Sequence, residues 1–266
     1  MPEHLKIALA QFAPKPGEIL KNLKTALDFI AQAAEEEADL VLLPEMFLSG
    51  YCAPDIMSKL KETREGENLG RLSEVAASNR IAVAGSFLEW DPIKQSTFNT
   101  AVFVDDTGKL LEDYQKIHLF DQEKEYMLPG RRLPTFRYRG VDLGFLICFD
   151  LEFPEPARSL ALQGMQVLLV PSANMAPYGP IHRNFALARA QENHIFVAYC
   201  NQTGVNGTCE FVGESCLVSP LGELICQVTR EEKMVSGVID TNDISRSQEA
   251  YNYLKERRCG CLEPII

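Results

Sequence analysis

No apolar run in these 266 residues approaches the ~18 that span a bilayer. The opening stretch, MPEHLKIALAQF, lacks the basic flank and long apolar segment of an export leader. Positive charge is in deficit: 26 Lys and Arg stand against 37 Asp and Glu, a formal net charge of −11. That balance argues against nucleic acid or an anionic membrane as partner and is permissive for a small neutral or cationic substrate. Linkers, internal repeats and low-complexity breaks are missing as well. The chain therefore reads as one domain over 1–266, long enough to bury a large core. The eight cysteines are scattered and do not form the framework of a small secreted disulfide scaffold. Reduced thiols in a cytoplasmic protein are the expectation. Cys259 and Cys261 flank one glycine, but no second pair of Cys or His at ligand spacing accompanies them, so no metal is expected.

What is present is a strand–helix rhythm. KIALAQF reads as a strand, and the helix after it places Ile19, Leu23, Leu27 and Ile30 on one face. DLVLLPE is a short buried strand stopped by Pro44. NLGRLSEVAASNR gives a helix and IAVAGSF another strand, while TAVFVDDTGKLLEDYQK reads as a hairpin turning at Asp-Thr-Gly. VDLGFLIC, PEPARSLALQG and VLLVPSANM repeat strand, helix, strand. A helix around FALARAQEN, the strand IFVAYCN, and strands in GESCLVSP, ELICQVT and MVSGVID follow, and SRSQEAYNYLKERRCGCLEPII reads as a helix and tail. The class is α/β.

LVLLPE and VLLVPS are parallel in pattern, each a buried strand interrupted by proline with polar residues at its carboxyl end. Ligands in such sheets collect outside those ends. Glu45, Cys148 and the segment 172–174 are then expected to face one crevice. At a buried strand's mouth Glu45 is partly desolvated, which raises a carboxyl toward general-base range. Lys116, in DYQKIHLFD, is a cation able to stabilise a thiolate and an oxyanion. Cys148, in GFLICFDLEFPEPAR, sits where a strand gives way to a helix, which reads as an exposed, electropositive turn that makes a thiolate available. Each has a plain structural alternative: a turn-capping acid, an exposed lysine, a packed thiol.

Together the three contexts resemble the nitrilase superfamily of carbon–nitrogen hydrolases. LLPEMFLSGY resembles its glutamate box, QKIHLF its lysine box and ICFDLEFPEPAR its cysteine box, in the family's order, and the resemblance covers nearly the whole chain. It implies a single-domain, four-layer α-β-β-α sandwich with Glu45 as general base, Lys116 as cationic stabiliser and Cys148 as nucleophile. Glu123, in QEKEYMLPG, is implied as a second acid orienting the lysine, with Glu125 the competing choice. The backbone N–H of Phe149 is expected beside Lys116 at the oxyanion, and no cofactor is required.

PSANMAPYGPIHR, RAQEN and FDLEFPE most resemble bacterial aliphatic amidases, including those acting on amino-substituted amides such as 5-aminopentanamide. The implied substrate is a short primary amide. Asn174, Tyr51, Tyr178 and Glu152 are candidate pocket residues and His182 a rim candidate. Asp150 is read as structural, pairing with Arg158 or capping the helix. Arg189, Glu192 and Asn193 are read as pairing within the chain. A nitrilase or carbamoyl hydrolase with the same triad, a Cys–His enzyme using His118, which would share a strand face with Lys116, and a catalytically silent binding module stay open. A homodimer or larger homo-oligomer is implied by the resemblance, with 245–266 as the interface tail.

Overall fold

The computed structural model describes residues 4–51 and 54–258. In chain order the first half holds β1 (His4–Gln11), α1 (Ile19–Glu35), β2 (Leu40–Leu42), α2 (Pro54–Met57), α3 (Glu67–Asn79), β3 (Ala82–Asp91), β4 (Ser96–Val104) and β5 (Leu110–Gln115). Next come α4 (Glu123–Tyr126), β6 (Thr135–Tyr138), β7 (Val141–Phe145), α5 (Pro154–Leu162), β8 (Val167–Ser172), α6 (Gly179–Asn193) and β9 (Phe196–Asn201). β10 (Thr203–Asn206), β11 (Cys209–Val212), β12 (Cys216–Val218), β13 (Leu224–Gln227), β14 (Lys233–Asp240), α7 (Asn242–Ala250) and α8 (Tyr253–Glu256) complete it.

Two six-stranded sheets form, ordered β14-β1-β2-β3-β4-β5 and β13-β12-β9-β8-β7-β6. The strands β1, β2 and β3 run parallel, as do β7, β8 and β9, and antiparallel strands flank both sets. Parallel strands covered on both faces need apolar residues at every position, which is why LVLL and VLLV show no alternation. Ile7, Leu9, Leu40 and Leu42 face the second sheet, and Phe103 of β4 meets Phe136 and Tyr138 of β6 at ring-centre distances of 4.8 and 5.1 Å. The intervening residues Ala8, Ala10, Val41 and Val83 pack against Leu23, Ala26 and Ile30 of α1 and Leu69, Leu72 and Ala76 of α3. Ala157 and Leu160 of α5, with Ala186 and Ala190 of α6, join the core on the second sheet's outer side. The layers are α-β-β-α, as expected.

Four details differ from the sequence reading. Residues 135–138 form β6, and residues 203–212 form a separate hairpin, β10–β11; these strands are four residues long, too short to show a period. The strand leading to Cys148 ends at Phe145, because the chain turns before the cysteine. The C-terminal helix breaks at Tyr251, and α8 restarts with the Asn252 side chain accepting the Lys255 N–H at 3.0 Å. The Tyr253 N–H donates to Nε2 of His194 at 3.2 Å, which anchors that restart. Cys259, Cys261 and the end of the 245–266 tail lie outside the described residues.

One glycine decides where the Lys116 segment runs. A Cβ on Gly130 would stand 2.0 Å from the carbonyl oxygen of Gln115, and the Gly130 N–H donates to the Lys116 carbonyl at 2.8 Å. No side chain fits there. Gly130→Ala is expected to cost about 1–3 kcal/mol, the usual range for overpacking, and to lower activity by displacing Lys116. Thermal melts beside a rate assay test this; a variant matching wild type in both would show that the approach is not needed.

Candidate active site

The site forms where the matching strands converge. Past β2 the chain runs through Leu43 and Pro44 to Glu45, whose backbone N–H donates to the Ser172 carbonyl at 3.3 Å. The carboxyl ends of β2 and β8, one from each sheet, therefore meet. Gln202, just after β9, donates to the Glu45 carbonyl at 2.7 Å and fixes the turn.

Glu45 is fully buried, and its two carboxylate oxygens are treated differently. Oε1 accepts from Nδ2 of Asn99 at 2.7 Å and from Nζ of Lys116 at 2.9 Å, whereas Oε2 is buried with no hydrogen-bond partner among the described residues. Lys116 follows β5 and reaches Glu45 and Glu123 together. Nζ lies 3.1 Å from Oε1 and 3.0 Å from Oε2 of Glu123, and Oε2 also accepts the Phe120 N–H at 2.8 Å. Glu123 is fully buried and Lys116 is 1% exposed, while Glu125 points to solvent at the far side of α4. Geometry thus separates the two glutamates that the sequence left in competition.

The electrostatics follow from this burial. Desolvation opposes the charge on Lys116, yet the Glu123 and Glu45 carboxylates together hold the ammonium's pKa well above its ordinary value. Burial pushes the Glu123 carboxyl up, Lys116 pulls it down, and the neighbouring Glu45 pushes it up again, leaving it raised. Burial likewise drives the Tyr51 phenol far up, so it stays neutral.

Cys148 starts a 3₁₀ turn over Cys148–Glu152 with φ of +48°, a conformation that residues with a Cβ rarely adopt. The turn is held by Asp150. One oxygen accepts the Tyr114 hydroxyl at 2.7 Å and the Ile147 N–H at 3.1 Å; the other accepts the backbone N–H of His118 at 2.8 Å and lies 2.9 Å from its Nδ1. Of the two structural roles read for Asp150, it takes the capping one, through the Ile147 N–H, and it bonds to Tyr114 and His118 rather than to Arg158. It ties the nucleophile turn to the segment after Lys116. His118 also stacks on Phe153 at 3.9 Å. The chain leaves the strand at Gln115, so Lys116 and His118 do not share a strand face. Arg189 secures the turn's far end, donating to the Leu151 and Glu152 carbonyls at 3.1 and 3.0 Å.

The expectation of an exposed, electropositive cysteine holds in part: Cys148 is half-buried and reaches the cavity, but its surroundings do not favour a thiolate. Burial and the Glu45 carboxylate push the Cys148 thiol well above its ordinary range; Lys116, the Ser172 hydroxyl and the Ala173 N–H pull the other way and do not prevail. The resting group is a thiol, beside a carboxylate with one free oxygen.

Cys148 opens onto a cavity of about 190 Å³ lined by Tyr51, Lys116, Phe120, Phe149, Glu152, Ala173, Asn174, Met175, Tyr178, Ile181 and His182. The four candidate pocket residues, Tyr51, Glu152, Asn174 and Tyr178, are there together with Phe149. Asn174 also spends an amide N–H on the Tyr178 carbonyl at 3.2 Å, so it shapes its own loop. His182, read as a rim residue, is 2% exposed: the first turn of α6 points it inward to Glu152. Nothing in the sequence alone marked Phe120, Met175 or Ile181, since an apolar loop residue looks the same wherever it points. Among the described residues no group of three or more His, Cys, Asp or Glu could hold a metal ion.

A thiol at a strained turn, served by a half-free buried carboxylate and an anchored ammonium, is the equipment of a cysteine-dependent hydrolase. The carbon–nitrogen hydrolase family profile matches residues 6–248, and the chain belongs to that family. It is 36% identical to an (R)-stereoselective amidase of Pseudomonas over 96% of this chain and 92% of the other. An omega-amidase of Saccharomyces cerevisiae is 30% identical over 96% and 94%. The structure superposes on an amidase from Nesterenkonia with a TM-score of 0.88, 30% identity and coverage of 97% and 94%. Variants of that enzyme have been solved with butyramide bound and with the acetamide moiety of fluoroacetamide covalently attached to the active-site cysteine.

Two outcomes follow from the site's geometry. Because the thiol is raised, the 240 nm absorbance difference between wild type and Cys148→Ala should show no thiolate step below pH 9; a step near pH 7 would refute a protonated resting sulfur. Asp150→Asn turns an amide N–H₂ toward donors, which is expected to cost about 1–3 kcal/mol and to slow turnover, read by thermal melts and initial rates.

Proposed function

We propose that this chain hydrolyses short aliphatic primary amides to the carboxylate and ammonia through a thioester on Cys148. The observation that carries the reading is Glu45: Lys116 and Asn99 fix one of its oxygens, and the other is left free in the recess that holds the sulfur. As the sulfur attacks the amide carbonyl, the free oxygen takes the thiol proton, so no standing thiolate is required. Charge builds on the carbonyl oxygen, where Lys116 Nζ and the Phe149 N–H stabilise it. Glu45 returns the proton to the departing nitrogen, ammonia leaves and the thioester remains. Glu45 then deprotonates water, which attacks the thioester; the proton passes to the sulfur as the acid leaves. Glu123 orients Lys116 throughout.

The cavity is smaller than those that enclose drug-sized ligands, which favours short acyl chains. Tyr51, Phe149 and Tyr178 serve as walls and Asn174 as a polar contact. Among the described lining residues Glu152 is the one carboxylate, and the one ammonium, Lys116, is already engaged by two acids. That arrangement supports an amino substituent on the acyl chain over an acidic one. Reduced thiols at Cys148, Cys200, Cys209, Cys216 and Cys226 support a cytoplasmic setting. The family resemblance supports association with a second copy, and the exposed rings of Tyr251 and Tyr253 near the C-terminus are suited to it.

Ammonia release from a panel of short amides, nitriles and carbamoyl compounds tests the reading. Glu45→Gln and Cys148→Ala should each lower turnover by at least about 10³-fold while melting within a few degrees of wild type. Near-normal turnover in either would overturn its role as base or nucleophile. Nitrile-selective release would move the chain to that branch, and a blank panel would favour a binding module.

A further inference from the structure

Glu152 and His182 line the same cavity as Cys148 and Lys116, and the chemistry of Glu45, Lys116 and Cys148 uses neither. Glu152 closes the 3₁₀ turn that Cys148 opens. Its backbone is fixed, since Arg189 donates to the Leu151 and Glu152 carbonyls at 3.1 and 3.0 Å. Its side chain is fixed by one contact, Oε1 lying 3.2 Å from Nε2 of His182. Oε2 has no hydrogen-bond partner among the described residues and is not sealed from solvent, the side chain being 25% exposed. Among the described residues His182 is also the only ion-pair partner of Glu152, because Lys116 is held by Glu45 and Glu123.

The imidazole is itself held in place. Nδ1 lies 3.2 Å from the Tyr199 hydroxyl and 3.4 Å from Oγ of Ser172, and the Tyr199 ring stands edge-on to the imidazole with centres 5.7 Å apart. His182, Ser172 and Tyr199 are all buried. A carboxylate offers only lone pairs, so the ring carries its proton on Nε2 and leaves Nδ1 to accept from the hydroxyls. A neutral ring satisfies every one of these contacts. The pair therefore keeps the full carboxylate charge, with Oε2 uncommitted on a residue that lines the cavity.

We propose that Glu152 and His182 form an acyl-chain subsite in which Oε2 of Glu152 binds a substrate ammonium and His182 sets the strength of that preference. A glutamate has three rotatable bonds, and unrestrained it spreads its charge over many positions. The His182 N–H removes that freedom before substrate arrives, which is how preorganisation raises affinity. His182 acts through Glu152 and is a positioning residue. Selectivity for amino-substituted amides then depends on the donor behind the carboxylate as well as on the charge. The proposal rests on the amidase reading, because it takes the cavity at Cys148 as the place where the acyl chain lies.

The test uses pairs of amides that differ only in an ammonium for a methyl: 3-aminopropanamide with butanamide, 4-aminobutanamide with pentanamide, and 5-aminopentanamide with hexanamide. The quantity read is the ratio of kcat/KM, amino over methyl, within each pair. Wild type should favour the amino member of at least one pair by about tenfold or more, chiefly through KM, as expected for a hydrogen bond to a charged group. Glu152→Gln keeps an oxygen for the His182 N–H and loses the charge, so its ratio should fall close to one. His182→Ala should lower the ratio by at least about fivefold, a loss within the range of one charged hydrogen bond. His182→Gln, whose amide N–H can take the place of Nε2–H, should recover most of it. Adding His182→Ala to Glu152→Gln should change the ratio no further, because both act on one contact.

A purely structural role for His182 would slow both members of a pair alike and leave the ratio where it was. That result, a His182→Gln protein no better than His182→Ala, or a wild type without preference would each overturn the subsite while leaving amide hydrolysis intact. Should His182→Ala not fold, His182→Phe, which keeps a ring and removes the donor, takes its place. Calorimetric titration of the same pairs into the Cys148→Ala protein separates the two readings. A chain that hydrolyses no amide, but binds the amino member more tightly until Glu152→Gln is added, keeps the subsite and loses the amidase reading.

Discussion

A single ammonium, on Lys116, holds two like-charged carboxylates in one dry recess, and the rest of the site depends on that contact. Burying an ion costs several kcal/mol unless its partners are placed well. Each carboxylate lies within 2.9–3.1 Å of Nζ, and backbone or amide donors occupy further lone pairs. The uncompensated remainder is one negative charge and one free oxygen. Both bear on the sulfur: burial first and then the charge keep it protonated at rest, and in the proposed mechanism the oxygen takes its proton. A raised thiol is therefore consistent with a nucleophile, provided attack and deprotonation are one event.

That arrangement tolerates little movement, and the surrounding structure supplies the stiffness. Glu45 is anchored across the sheets to Ser172 and by Gln202, Lys116 by the close approach of Gly130, and the Cys148 turn by Asp150 at one end and Arg189 at the other. Asp150 matters most for alignment, because its oxygens bond to the turn itself, to the strand before Lys116 and to the segment after it. The left-handed backbone of Cys148 costs of order 1–3 kcal/mol, and these ties are what a strained residue needs to persist.

Much of this was legible in the sequence, for identifiable reasons. The parallel strands announced themselves as unbroken apolar runs, and α1 by its apolar stripe, because burial on two faces or on one leaves different periods. Glu45, Lys116 and Cys148 stood out because each followed a strand and each sat in a recognisable short context. The sign of the cysteine's shift was not legible. It depends first on how deeply the turn buries the sulfur and then on Glu45 outweighing Lys116, both set by residues remote in sequence. His182 was misplaced for a similar reason, since its helix is weakly amphipathic and the inward face cannot be read from spacing. The short strands β6, β10 and β11 fell below the length at which a period exists.

The two sheets divide the chemistry between them. Glu45 leaves the carboxyl end of β2 in one sheet, while Ser172 and the Cys148 turn belong to the other. Lys116 and Glu123 come from the connection between the sheets. A base and a nucleophile on the same strand would move together and hold one separation. Placed on opposed sheets, their spacing is set by the packing of the apolar layer between, which is rigid because it is close-packed. The core that holds the fold together thereby also sets the distance over which the proton travels. A cavity-forming substitution between β2 and β8 would then reach the chemistry without touching a charged residue.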